Sequence, residues 1–160
     1  MTGLLLRIAS RALPRRAPSD ATPSLPDAET LIEALQTGDL DLLSACGPSL
    51  ATARNAQGQS WFFIALEVAG LQTINWFLAH GARANGTDRS GRTALEVILQ
   101  RDALRDEFDD TAEDCPAILA ALINAGADVT AANAQGQTPL ALARSLGATE
   151  MARRLAEAGA

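Results

Sequence analysis

Lysine and tyrosine are absent from this 160-residue chain, histidine occurs once, cysteine twice, and aromatic residues make up only 4%. All 13 cationic side chains are therefore arginines, and lysine-directed modification is excluded as a means of regulation. Cys46 and Cys115 lie 69 residues apart, with no metal-type spacing, and read as free thiols of a reducing compartment. No nucleophile has a base legible beside it, no phosphate-binding loop is present, and His80 has no acid–base partner in the sequence. The chain is read as a non-enzyme with no cofactor and no metal. No apolar run approaches the ~20 residues that cross a bilayer. A length of 160 residues accommodates one ordinary domain and not two comfortable ones.

Charge is placed unevenly. The net charge is -6, yet residues 1–16 carry four arginines and no acid. Residues 101–114 hold seven acids against Arg101 and Arg105, a local balance of -5. A nucleic-acid binder needs a basic face to displace counterions from phosphates, so nucleic acid is excluded as the partner class. Leucine and alanine carry most of the apolar content, which suits close-packed helices better than sheets.

What the chain does have is repetition. Asn-Ala-Gln-Gly-Gln occurs unchanged as Asn55–Gln59 and Asn133–Gln137, and Asp88–Arg92 fills the same slot between them. The spacings are 33 and 45 residues, so one repeat holds a 12-residue insertion. Gly81-Ala82, Gly126-Ala127 and Gly159-Ala160 form a second periodic set. Such self-similarity indicates a stacked array rather than one closed core. Ser60, Thr93 and Thr138 stand where a hydroxyl caps a helix start, with Pro139 at a first helical position. Gly81, Gly126 and Gly159 stand just past the second helix of each unit, where a left-handed residue closes it.

These residues resemble the ankyrin repeat, a turn followed by Gly-x-Thr-Pro-Leu-x-x-Ala, a second helix and Gly-Ala-Asp. Gly136-Gln137-Thr138-Pro139-Leu140-Ala141-Leu142-Ala143 matches best, followed by Gly91-Arg92-Thr93-Ala94-Leu95 with Gly126-Ala127-Asp128, and Gly58–Ala65 is the most divergent. Leu31–Gly38 with Asp39-Leu40 reads as a degenerate first unit whose second helix is about two residues short. The resemblance implies an all-α helix-turn-helix solenoid of about four units over residues 28–160, preceded by an arm, residues 1–27. It also implies a protein-binding scaffold with two surfaces, the projecting finger loops and the concave face of the first helices. The family's usual histidine after Thr-Pro-Leu is replaced by Phe63, Glu96 and Ala141, so a polar link between repeats is expected to be missing. His80 falls at a helix end, and the two cysteines fall two repeats apart, too far for a disulfide.

The partner-binding residues expected on this basis are Trp61, Phe63, Arg89, Arg92, Glu96, Asp106, Glu107, Asp109 and Asp110. Phe62 takes the family's buried leucine position, which points Trp61 and Phe63 toward the finger base and the concave face. Exposed aromatics there would dominate an interface; alternatively they cover the poorly formed first unit. Trp76 and Phe77 match a buried leucine pair. The insertion reads as a first helix prolonged through Leu104 and Phe108, then an acidic loop, Asp109–Asp114, lying near the dipole of the helix that starts at Cys115. That loop is either a solvated, dipole-stabilising segment or a docking site for a basic partner. It lacks the alternating ligands and central glycine of a calcium loop.

The arm is different in kind. Leu4, Leu5, Ile8, Ala9, Ala12 and Leu13 share one helical face, and Arg7, Ser10 and Arg11 the other, before Pro14 and a Pro/Ser-rich linker. Leu4, Leu5, Arg7, Ile8 and Arg11 are the docking residues expected there, for a larger assembly or a membrane surface. Residues 4–13 are also similar to short N-terminal peptides on proteins encoded with phage-tail-like contractile injection systems. Arg7 interrupts the apolar stretch that a secretory signal requires. The Arg/Ala bias points to a bacterial source; the location expected is cytoplasmic, with organelle targeting through residues 1–16 as the eukaryotic alternative.

Overall fold

The computed structural model describes residues 25–104 and 114–160. Within them eight α-helices form four consecutive pairs: α1 (Ala28–Thr37) and α2 (Leu40–Cys46), α3 (Trp61–Val68) and α4 (Leu71–Ala79), α5 (Ala94–Ala103) and α6 (Cys115–Asn124), α7 (Pro139–Ser145) and α8 (Thr149–Glu157). Sheet structure among the described residues is limited to two isolated antiparallel bridges, Arg54 with Ser60 and Thr87 with Thr93. The first helices α1, α3, α5 and α7 pack on one another in a row, and α4, α6 and α8 form a second row. One continuous apolar core runs between the rows, from Leu31 to Leu155. The expected all-α repeat stack is the fold observed.

Local chemistry sets the helix ends. Thr93 accepts the amide of Glu96 at 3.2 Å and Thr138 that of Ala141 at 3.3 Å. Ser60 makes no capping bond with its side chain, contrary to the reading from its position. Gly81, Gly126 and Gly159 have φ of 97°, 89° and 98°. In each case the next residue's amide returns to a carbonyl five positions back (Ala82 to Phe77, Ala127 to Leu122, Ala160 to Leu155), the closure that a left-handed residue permits. The first pair is indeed short: α2 has 7 residues where α4 has 9. Gly47 and Pro48 turn the chain into a 3-10 segment, η1 (Pro48–Thr52), which packs against α3 and α4.

Two expectations about packing need correction. Trp61 and Phe63 are buried, at 3% and 8% exposure, so the exposed reading is overturned and the alternative, in which they cover the first unit, fits the packing of α1 and η1 on α3. Helix α3 has α1, η1, α4 and α5 around it, so three consecutive aromatics on its first turn find protein on every side. Phe62 meets Phe63 edge-on at 5.9 Å and Phe77 at 6.0 Å. Nor does α5 continue through Leu104, which is its C-cap residue and 84% exposed. An unburied leucine supplies no packing to prolong the helix. Phe108 lies outside the described residues.

The segment's two flanks are fastened to the preceding unit. Arg101 donates to the carbonyls of Leu66 and Ala69, at 3.1 and 2.7 Å, at the C-terminal end of α3. Asp114 accepts the amide of Leu71 at 3.0 Å, at the first turn of α4. The carboxylate expected to serve α6 makes no capping bond to it and serves the neighbouring α4 instead. Cation at a C-terminus and anion at an N-terminus both complement the helix dipole.

Candidate functional site

The three fingers share one construction. Asn55, Asp88 and Asn133 each direct Oδ1 at two backbone amides, two and four residues on, at 2.8–3.0 Å. The glycine three residues on, at φ 77°, 79° and 76°, donates back to the carbonyl of the same residue. A side-chain carbonyl and a left-handed turn residue are the two requirements of this loop, and they explain why Asn/Asp-x-x-Gly recurs. Preformed loops of this kind lose little conformational freedom when they meet a ligand.

Between the fingers and the first helices runs a polar ladder that joins three units. Arg92 pairs with Asp88 at 2.7 Å within its own finger and with Glu67 of α3 at 2.7 Å. It also donates to Gln100 at 3.3 Å; Gln100 donates to Glu96 at 3.2 Å, and Asn133 of the next finger donates to the same Glu96 oxygen at 3.2 Å. The expected lack of a polar link between repeats is therefore wrong. Glu96, standing where the family has histidine, makes the link itself. It is 6% exposed, and its other oxygen is buried with no partner among the described residues. Glu96 belongs to the scaffold more than to a free surface.

Electrostatics follow the ladder. Burial alone would push the Asp88 carboxyl up, but hydrogen bonds from Arg92 and Ser90 and the Arg92 charge outweigh it and hold the group below its ordinary value. Arg89 is exposed and its guanidinium donates to the Gln57 carbonyl, fastening the second finger to the first. Of the expected contact residues, Arg89 and Arg92 thus lie together on the second finger, whereas Trp61, Phe63 and Glu96 lie beneath the surface. Asp106, Glu107, Asp109 and Asp110, and Leu4, Leu5, Arg7, Ile8 and Arg11, lie outside the described residues. His80 ends α4, its ring stacked on Trp76 at 4.1 Å and its Nδ1 2.7 Å from the Trp76 carbonyl oxygen.

Adjacent fingers enclose grooves. The first, about 280 Å³, has Phe62 and Phe63 as its floor and Arg54 and Arg83 among its walls. The second, about 290 Å³, lies one repeat further on and has Leu95 and Asp128 in the equivalent places. Arg54 was missed by sequence reasoning, because a lone arginine before a turn carries no motif. The only legible signal was the alignment of one finger base on the next.

No protein-family model matches the chain, and no curated protein matches it significantly. Among solved structures, the chain is similar to an ankyrin repeat domain from Acinetobacter baumannii AYE, with a TM-score of 0.63 and 27% identity over 81% of this chain. The chain spans 63% of the length of that structure.

Proposed function

We propose that this chain, which is an ankyrin repeat protein, works by binding another protein noncovalently along its fingers and the adjoining face of its first helices, as an adaptor or regulator. The observation that carries this reading is the prearranged finger row: three loops of one geometry, held to one another and to the helices by Arg89–Gln57 and by the ladder from Glu67 to Asn133. A rigid row of loops offers contact area at low entropic cost, and that is useful for recognition. Arg89 and the remaining charges of the second finger would steer and select the partner.

The sequence of the arm favours a second reading, in which residues 1–13 dock the protein into a larger assembly. A third makes it an inhibitor or immunity protein whose acidic loop, Asp109–Asp114, neutralises a basic partner. Affinity capture with three full-length proteins separates them. One carries Arg89→Glu, one Leu4→Asp with Ile8→Asp, and one Asp109→Arg with Asp110→Arg. Loss of a specific partner with the first alone supports the finger reading; loss with only the second or third supports the docking or inhibitor reading and rejects it.

A further inference from the structure

The grooves of about 280 and 290 Å³ occupy the same place in successive repeats and differ in bridging and in charge. Thr52 corresponds to Asn85, Phe62 to Leu95 and Arg83 to Asp128, at the 33- and 45-residue offsets of the repeats themselves. In the second groove Asn85 spans the gap: its Nδ2 donates to the Gly126 carbonyl at 2.7 Å and its Oδ1 accepts the Asp128 amide at 2.6 Å. In the first groove Thr52 turns to its own segment, donating to the Ser49 carbonyl at 3.3 Å. The Arg83 amide, counterpart of the bonded Asp128 amide, has no partner among the described residues.

Charge reverses with it. The second groove carries Asp128, whose carboxylate is occupied by the Thr130 hydroxyl and amide at 2.7 and 2.8 Å. The first carries Arg83, exposed and with its guanidinium unpartnered among the described residues, and Arg54, which spends one N–H on the Gly58 carbonyl at 2.9 Å. No acid lines this groove in a chain of net charge -6. Its volume lies at or below the ~300–1,000 Å³ of small-molecule sites and suits an inserted side chain.

We propose, resting on the protein-binding reading above, that the groove between the first and second fingers seats an aspartate or glutamate side chain from an acidic segment of the partner protein. The carboxylate accepts from the Arg83 amide, as Asn85 Oδ1 accepts from Asp128, and is flanked by the Arg83 and Arg54 guanidinium groups. The aliphatic stem of the inserted residue, or its apolar neighbour, lies over Phe62 and Phe63.

The test is a ¹⁵N–¹H titration of the full chain with a blocked Gly-Leu-Glu-Leu-Gly peptide, its Gln and Lys counterparts, and acetate. The Glu peptide is expected to shift the amides of Ser60, Arg83 and Gly86, with the Gln peptide about tenfold weaker and the Lys peptide inert. Arg83→Ala should weaken the Glu peptide about tenfold. Thr52→Asn, which installs the bridging amide of the second groove, should remove the response while raising stability. Equal shifts with all three peptides, no shifts at all, or an unchanged response in Thr52→Asn would overturn the site. Acetate reproducing the peptide's shifts at the same midpoint overturns the partner-segment version. Shifts gathered instead at Glu67 and Gln100 overturn this groove while leaving protein binding through the stack in place.

Discussion

Asp114 caps a helix that is not its own: its Oδ2 accepts the Leu71 amide at 3.0 Å, across 43 residues of sequence. Gly70 makes the approach possible, since a Cβ there would stand 3.1 Å from the same oxygen. With Arg101 bound to the carbonyls of Leu66 and Ala69, the turn between α3 and α4 is held by both flanks of the acidic insertion. The insertion is thereby fastened to the stack at each end.

That arrangement predicts an effect at a distance. Asp114→Ala should cost about 1 kcal/mol, the usual loss of a helix cap, and should raise hydrogen exchange in the first turn of α4 rather than of α6. Asp114→Asn keeps an acceptor oxygen and should lose less.

The ladder predicts an asymmetry between two identical pentapeptides. Asn133→Ala removes the Asn133–Glu96 bond as well as the finger's internal bonds, whereas Asn55→Ala removes internal bonds, among them the link to Gln59 at 3.1 Å. Urea unfolding should find Asn133→Ala more destabilising by about 1 kcal/mol.

Asp88 gives a pH-dependent prediction. Its folded pKa lies below the ordinary 3.8, so its stabilising contribution is present above that value and is lost as pH falls through the folded one. Asp88→Asn preserves the loop, since asparagine fills this position in the other two fingers, but removes the ion pair with Arg92. The variant should be about 1 kcal/mol less stable at pH 7, and the gap should close below pH 3.8 in paired denaturation curves.

Trp61 and Phe63 should behave as core residues. Phe63→Ala or Trp61→Ala should lower stability by about 3–5 kcal/mol. Phe63→Leu, which keeps a large apolar side chain, should retain the fold.

The repeat array was legible because its signals are local and obligatory. Asn/Asp with a glycine three residues on makes a finger, and a glycine after the second helix closes it, wherever the unit sits. The exposed placing of Trp61 and Phe63 fails because helical position gives direction but not what stands there: η1 packs beside α3 as a 3-10 segment where the corresponding residues of the next repeat, Gly81–Asn85, form a non-helical turn. Glu96 was misjudged for a related reason. Its role depends on Asn133, 37 residues away, and departure from a family histidine reads as a lost bond until the replacement partner is seen. Asp114 likewise sits one residue before α6, and only the neighbouring unit reveals that it caps α4.

The most direct test of the account sets the finger side against the row of second helices. The full chain would be compared in quantitative affinity capture with Arg54→Glu plus Arg83→Glu on the fingers, and with Asn75→Arg plus Asn124→Arg on α4 and α6. A specific partner lost with the finger pair and retained with the helix pair is the predicted result. Retention by the finger variant and loss with the helix variant would contradict it.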